Sequence, residues 1–220
     1  MKIRPFRLLA TLGLLCLGCA ADLAAMDVHP LNTNWRFHYG FQAGPAETSD
    51  VTLPHTWNRK DAMFGNKDYY RGLGTYSRRL PAELKDSANR VFLKVNAAQT
   101  VADVFVDSRF VTQHRGGYTA FVAELTDHLK PGRESRLDIR VNNTNLMDVA
   151  PICGDFNIYG GLPRGVELIV TGPVCIAPHY YASPGVFFRQ LALDSDRAVL
   201  EVETHLSSSL PAAVGLSQVR

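Results

Sequence analysis

The stretch GDFNIYGGLPRGVELIV, residues 154–170, begins as an irregular segment and ends in a run with the periodicity of a β-strand. The apolar side chains that alternate in this run are Val166, Leu168 and Val170. A period of two predicts a strand with one face on a hydrophobic core. Gly160 and Gly161 precede the run, where a positive φ or a close backbone approach would let the chain bend into a sheet. We therefore interpret both glycines as structural.

Two further runs show the same alternation: RVFLKVN, residues 90–96, and RLDIRVN, residues 136–142. Turn residues separate such runs at short intervals, as in the dipeptides Asp107–Ser108 and Pro131–Gly132. The first dipeptide lies between two apolar stretches and predicts a β-hairpin. No stretch has the pattern of an amphipathic helix longer than two turns. Many short strands with regular turns predict an all-β protein, an antiparallel sandwich of the jelly-roll type.

The composition is that of an ordinary globular protein. The chain has 220 residues, of which 46% are hydrophobic and 20% charged, and its formal net charge is +2. Acidic and basic residues are interspersed without a basic stripe, so we predict no nucleic-acid partner. The histidines and cysteines do not have zinc-ligand spacing, so we predict no metal site, and we predict no cofactor.

The N-terminus resembles an export signal. Three basic residues precede the apolar run LLATLGLLCL, residues 8–17, and the small residues GCAA follow it. This order is typical of a secretory signal peptide, and the run is too short to span a bilayer. We assign the signal to residues 1–20. The residues before Cys19 also resemble a lipoprotein box. The signal would therefore be processed in one of two ways, by lipidation of Cys19 or by ordinary cleavage nearby. We expect an exported protein that is periplasmic or a surface lipoprotein, with membrane contact only through that lipid.

A domain boundary is predicted near residue 173, because prolines and glycines interrupt the strand pattern between residues 170 and 188. Residues 27–173 would form the jelly-roll domain. Residues 174–220 contain two or three strand candidates, too few to enclose a sandwich core, which takes about 100 residues. We expect these strands either to pack on the first domain or a partner, or to be the start of a second domain that is cut short here; we favour the latter.

Two cysteines, Cys153 and Cys175, remain after the signal. An oxidising compartment would permit a disulfide between them. Two partly buried free thiols are the interpretation that we favour, because a single pair at this separation is weak evidence for a bridge.

Five motifs in register resemble the N-terminal sugar-binding domain of glycoside hydrolase family 2, the β-galactosidase and β-glucuronidase family. They are NWRF (34–37), LPHTW (53–57), YYRGLGTYSRRL (69–80), DVFVDSRFVTQHRGGYTAFVAELTDHLKPG (103–132) and GDFNIYGGLPRGVELIVTGPV (154–174). The segment after residue 174 resembles the first strands of the immunoglobulin-like domain that follows in this family.

The resemblance implies a retaining exo-glycosidase in which a (β/α)8 barrel carries two catalytic glutamates. A retaining mechanism places the two carboxyl groups about 5–5.5 Å apart. The glutamates at positions 83, 124, 134 and 167 match no catalytic motif of the family, so we assign no catalytic residue to this chain. The carbohydrate partner, a β-glycoside, would bind mainly through a barrel that these residues do not include.

The resemblance also suggests two sugar contacts. An acidic residue at the position of Asp155 reaches toward the sugar pocket in galactosidase-like members, and an ionised carboxylate can accept hydrogen bonds from two hydroxyl groups. A salt bridge from Asp155 to Arg164, or a turn cap, is an equal alternative. Arg71 lies in the second motif that approaches the pocket in some members. Arg164 is interpreted as a structural anchor that holds a buried carboxylate or a loop carbonyl.

Aromatic residues in these motifs also allow two interpretations. Phe156 and Tyr159 would either stack on a sugar face or seal a sandwich edge. His55 and Trp57 are interpreted as structural.

The motifs depart from the family pattern at several positions. Thr56 replaces an aspartate, Thr75 a tryptophan, Pro163 an aromatic residue, and Gly165 an aspartate or proline. These departures bear on which sugar is bound more than on the fold.

Three functions are therefore open. The first is the N-terminal, non-catalytic part of an exported β-galactosidase-like hydrolase. The second is a stand-alone carbohydrate-binding module, and the third is a surface lipoprotein without hydrolase activity.

Overall fold

The computed structural model describes residues 26–41, 44, 47–61, 68–86, 88–150 and 156–210. The predicted signal, Cys19, Cys153 and Asp155 lie outside these residues. The strands in the described part are β1 (Asp27–Pro30), β2 (Trp35–Tyr39), β3 (Ser49–Val51), β4 (His55–Thr56), β5 (Leu73–Leu80), β6 (Arg90–Val95), β7 (Val101–Val106), β8 (Arg109–Arg115), β9 (Phe121–Glu124), β10 (Ser135–Asn142), β11 (Gly161–Leu162), β12 (Val166–Thr171), β13 (Val174–Ile176), β14 (Val186–Leu193), β15 (Ala198–Thr204) and β16 (Leu206–Ser208).

Two antiparallel sheets form the main body. One has four strands in the order β1-β12-β6-β9, and the other has six in the order β3-β2-β5-β10-β7-β8. Helical structure in the described residues is confined to short 3-10 turns, among them Ala82–Leu84 and Thr126–His128, and none of these turns has the length or apolar character of a membrane-spanning helix. The prediction of an all-β fold is confirmed.

The core lies between the two sheets. Side chains from both sheets alternate inward and pack into one buried cluster, which includes Trp35, Phe37, Tyr76, Val91, Leu93, Val104, Leu137, Ile139, Val166 and Leu168. Burying large apolar side chains in this way is the main favourable contribution to folding. The period-two pattern that predicted the strands is therefore the pattern that fills this core.

The hairpin predicted at Asp107–Ser108 joins β7 to β8, with Val106 opposite Arg109. Asp107 has a φ of 48° and Ser108 a φ of 65°. Two consecutive positive φ values match the type I′ turn, whose twist fits that of the flanking strands.

The four-stranded sheet is also buried on its outer face. Phe92 and Ile169 pack there against Cys175 of β13, which is a buried free thiol. His179 stacks on Phe92, with ring centroids 6.2 Å apart. The segment that follows the predicted boundary at residue 173 therefore covers the first body, so Phe92 is not the solvent-facing residue that strand alternation alone would predict.

In the part of the chain after residue 173, β13 pairs with β16 and β14 pairs with β15. Large apolar side chains of the β14–β15 hairpin are exposed, among them Phe188, Leu193, Leu200 and Val202. Two or three strands were predicted from residue 174 onward, and the described residues there form four. The apolar face of the β14–β15 hairpin packs on no core cluster of the described residues.

Arg90 of β6 has contacts in both parts of the chain. The Arg90 guanidinium is buried and donates from Nε and Nη2 to the two Glu124 carboxylate oxygens, each at 2.9 Å. Its Nη1 donates to Ser207 Oγ at 2.9 Å. Burial raises the pKa of Glu124, but the hydrogen bonds from Arg90 and Thr126 and the Arg90 charge outweigh it, so the net pKa is lowered.

A lowered pKa makes this pair a source of acid sensitivity. Glu124 contributes stability that is fully present above the unfolded pKa of about 4.3 and is lost as the pH falls through the folded pKa. We expect Glu124→Gln to lower the Tm at pH 7, and the difference from wild type to shrink below about pH 4. Glu134→Gln is the control, since its pair with Arg79 is exposed and should contribute little. A Tm difference that stays constant from pH 7 to pH 3 would contradict this assignment.

Candidate functional site

The segment from Phe156 to Gly165 runs beside β4 and the chain before β5. Gly161 pairs with Thr56, and Leu162 pairs with His55. The Ile158 amide donates to Tyr69 Oη at 2.8 Å. The structure therefore brings three of the quoted motifs together: residues 53–57, 69–80 and 154–174.

Gly160 and Gly161 are placed where a side chain has no room. A Cβ on Gly160 would lie 1.9 Å from Cζ2 of Trp57, because the backbone passes directly over the indole. Gly161 has a φ of +124°, and a Cβ there would lie 2.5 Å from the His55 carbonyl oxygen. Each glycine thus has a steric requirement, and Gly161 also has a conformational one.

A pair of buried asparagines holds this segment in place. Asn143 Nδ2 donates to the Ile158 carbonyl at 2.9 Å and to Asn58 Oδ1 at 3.2 Å. Asn58 Oδ1 also accepts from the Gly160 amide at 2.7 Å. The Gly72 amide donates to Asn143 Oδ1 at 2.8 Å. Asn58 and Asn143 were not predicted as site residues, and the one available signal was that Asn58 directly follows the LPHTW motif.

Arg71 belongs to the same cluster. Its Nε donates to the Asn143 carbonyl at 3.2 Å, and its guanidinium lies 5.9 Å from the centre of the Tyr69 ring. Its Nη2 is buried and has no hydrogen-bond partner among the residues that the structure describes. A guanidinium with a spare donor beside the Phe156–Gly161 segment is chemically able to hold a carboxylate or a hydroxyl group.

Arg164 lies at the other end of the segment and is exposed. Its Nη1 donates to the Tyr118 carbonyl at 3.2 Å. Of the two partners considered from the sequence, the structure shows the loop carbonyl. Asp155 lies outside the described residues, so the proposed Asp155–Arg164 pair does too.

The aromatic side chains of the segment divide into two groups. Phe156 is 56% exposed and Tyr159 is 47% exposed, so part of each ring is accessible to solvent. Trp57 is buried, and His55 Nδ1 lies 2.8 Å from Tyr76 Oη in a hydrogen bond. Burial lowers the pKa of His55, which favours its neutral form.

Comparison with known proteins identifies this arrangement. The chain is 40% identical over 178 residues to a β-glucuronidase from Bacteroides fragilis, and 26% identical over 165 residues to a β-galactosidase from Thermoanaerobacter pseudethanolicus. The FMN-binding β-glucuronidase of Facaelibacterium prausnitzii superimposes with a TM-score of 0.74 at 34% identity, covering 84% of this chain and 28% of that one. The chain belongs to glycoside hydrolase family 2.

A second solved β-glucuronidase structure also matches this fold. β-Glucuronidase 2 of Bacteroides uniformis, solved with covalently bound cyclophellitol-6-carboxylate aziridine, matches with a TM-score of 0.76 at 27% identity over 85% of this chain and 23% of that one. A scan against protein-family models found no match. The matches cover 81% and 70% of this chain but 26% and 22% of the two curated relatives, so it spans about a quarter of their length.

The glutamates in this family 2 chain that lie on strands or beside them are engaged in ion pairs. Glu124 pairs with Arg90, Glu134 with Arg79, and Glu167 lies 3.9 Å from Lys94. Within the described ranges, no group of three histidine, cysteine or acidic side chains could hold a metal ion. The arrangement can therefore present polar and aromatic groups to a ligand.

Proposed function

We propose that this chain is the N-terminal, non-catalytic part of an exported family 2 enzyme that hydrolyses terminal β-glycosidic bonds. The supporting observation is the 40% identity to a β-glucuronidase over 81% of the chain. Because this relative is more similar than the β-galactosidase, a β-glucuronide is the first substrate to test and a β-galactoside the second.

In this proposal residues 27–173 are a jelly-roll sugar-binding domain, and residues 174–220 begin an immunoglobulin-like domain. Residues 1–20 direct export, and Cys19 is a candidate lipid anchor. The bond-breaking glutamates would lie in a barrel elsewhere in the natural protein. The product would be periplasmic or held at the cell surface.

The segment Phe156–Gly161 is the part of the chain that we propose approaches the sugar. Asp155, which directly precedes it, would accept hydrogen bonds from sugar hydroxyl groups, and Arg71 would donate to the same ligand. Exposed Phe156 and Tyr159 support this placement, since exposed aromatic rings beside polar groups can stack on the apolar face of a sugar. The asparagine pair would hold the segment in position without contacting the sugar.

The test is the hydrolysis of 4-nitrophenyl β-D-glucuronide and β-D-galactoside by the natural full-length product. Asp155→Asn should lower kcat/KM by about tenfold or more, since a hydrogen bond to a charged group contributes about 1.5–3 kcal/mol. Asp148→Asn is the control, because Asp148 is exposed and pairs only with Arg115 among the contacts described. An unchanged kcat/KM in Asp155→Asn would contradict the proposed contact between Asp155 and the sugar. Absence of hydrolysis of both substrates by the natural product would refute the proposed activity.

A further inference from the structure

A groove with a volume of about 570 Å³ lies on the β14–β15 hairpin, away from the Phe156–Gly161 segment. The turn that contains Tyr180 and Tyr181 forms one wall, and Phe187, Glu201, Glu203 and His205 form much of the rest. Its size is within the range of about 300–1,000 Å³ that is usual for small-ligand sites.

Most of the strand residues that line the groove lie on one face of the hairpin, and exposed Phe188, which the strand pattern puts on the other face, also borders the groove. Phe187 pairs with Glu203 and Arg189 with Glu201, whereas the intervening residue Phe188 pairs with Val202. Since successive side chains of a strand point to opposite faces, Glu201 and Glu203 lie on one face and Leu200 and Val202 on the other. Covering the apolar face would therefore leave Glu201 and Glu203 exposed.

Aromatic rings form a layered wall in this groove. The rings of Tyr180 and His205 are parallel, with centroids 3.6 Å apart and planes at 14°. Phe187 stands edge-on to both, at 5.9 Å and 5.7 Å. Tyr181 stands edge-on to Tyr180 at 4.9 Å and is 86% exposed. The first three rings support one another, and Tyr181 presents its faces to solvent.

The turn that presents Tyr181 has an unfavourable backbone conformation. Tyr181 has a φ of 51° and Ala182 a φ of 52°, a left-handed conformation that residues other than glycine rarely adopt in succession. Ser183 holds the turn, since its amide and its Oγ both donate to the Tyr180 carbonyl, at 3.0 Å and 2.6 Å. Strained backbone that the surroundings maintain is concentrated at binding sites, so this turn is a functional candidate.

Charged groups line the floor beside the rings. Arg189 donates to Glu201 at 2.6 Å, and His205 Nε2 lies 2.9 Å from Glu203 Oε1. All four groups are on the open side of the hairpin, and each carboxylate has acceptor capacity beyond its one partner. Two carboxylates that face one guanidinium and one imidazole favour hydroxyl donors and disfavour a further carboxylate.

We propose that this groove binds neutral pyranose units of a glycan, with one sugar face on Tyr181 and hydroxyl groups on Glu201 and Glu203. The choice of a glycan rests on the proposed function; the groove itself rests on the contacts above. In an enzyme that removes a terminal uronic acid or galactose, such a site would bind neutral sugars further along the same glycan. Binding one glycan at both sites would raise its affinity for the enzyme.

The test follows the side-chain ring resonances of the full 220-residue chain by NMR during titration with cellotetraose and, separately, tetragalacturonic acid. Cellotetraose should shift the Tyr180, Tyr181 and His205 signals in a saturable manner. Tyr181→Ala should weaken this binding by about tenfold or more, and Tyr181→Phe should retain it, because the stacking face is kept. The control is Phe110→Ala, which removes an exposed ring of β8 and should leave binding unchanged. Because Tyr181 is exposed, its variants should fold as wild type does.

The outcomes separate the groove from the proposed enzyme. Absence of a saturable shift, or a shift that Tyr181→Ala leaves unchanged, would overturn the proposal that the groove binds sugar. Binding of tetragalacturonic acid as tight as that of cellotetraose would overturn its preference for neutral sugars. Shifts confined to Trp57 and Tyr159 would also overturn it, while supporting a sugar contact at the Phe156–Gly161 segment. Failure of the proposed enzyme would instead appear as absent hydrolysis by the natural product.

Discussion

Replacing Gly160 with alanine should destabilise the sandwich by about 3 kcal/mol or more, the upper range for overpacked cores. The new methyl group would lie 1.9 Å from Cζ2 and 2.1 Å from Cε2 of Trp57. The indole cannot retreat easily, because Phe37 stacks on it with ring centroids 5.7 Å apart. The backbone cannot retreat either without breaking the Gly160–Asn58 hydrogen bond. Urea unfolding followed by tryptophan fluorescence measures the loss.

Two further variants identify the cause of that loss. Gly44→Ala is the matched control, since a Cβ there has only an ordinary 3.9 Å contact with Glu47 Oε2. It should change the free energy of unfolding by less than about 0.5 kcal/mol. Combining Gly160→Ala with Trp57→Leu should cost clearly less than the sum of the single changes, because the smaller side chain makes room for the methyl group. Additive costs would contradict the role assigned to the indole.

Asn143→Ala should cost about 3 kcal/mol, the second-largest effect that we expect. The substitution leaves the Ile158 carbonyl and the Gly72 amide without their partner and removes the bond to Asn58. A buried polar group left unsatisfied costs about 1–3 kcal/mol, and these groups are buried or half-buried. The loss should appear both as reduced stability to urea and as faster hydrogen exchange of the Ile158 and Gly160 amides.

The control for this variant is Asn145→Ala, two residues along the chain and exposed. It should change stability by less than about 0.5 kcal/mol and leave both amides protected. If Asn143→Ala lowered stability without increasing exchange at Ile158 and Gly160, the asparagine pair would be a general core contact. It would then not be the element that positions the motif.

Hydrophobic alternation was sufficient to predict several of the core strands. The runs at residues 90–96 and 136–142 became β6 (Arg90–Val95) and β10 (Ser135–Asn142), with ends within one residue of the prediction. A period of two indicates which face of a strand meets the main core, but it does not identify the neighbouring strand. The pairing of β4 with β11 and the position of β10 between β5 and β7 could not be predicted from it.

The parts of the site that could not be predicted depend on contacts between distant residues. Asn58 and Asn143 are 85 positions apart, and nothing in either local sequence marks them as partners. The burial of Phe92 depends on Cys175, which lies beyond the predicted domain boundary. The contact between Gly160 and Trp57 could not be predicted either. A glycine pair in a sequence indicates backbone freedom, but it does not indicate which side chain packs against the glycine.

We propose that this chain is a supporting part of a family 2 glycosidase whose reacting carboxylates lie elsewhere. The most direct measurement is to isolate the natural protein with an antibody against this chain, react it with cyclophellitol-6-carboxylate aziridine, and locate the adduct by peptide mass spectrometry. We predict that the adduct lies on a glutamate in a peptide outside these 220 residues, in a protein that also yields peptides from residues 26–210. An adduct on a glutamate of this chain, or a natural product that yields only peptides of this sequence and takes no label, would contradict the claim.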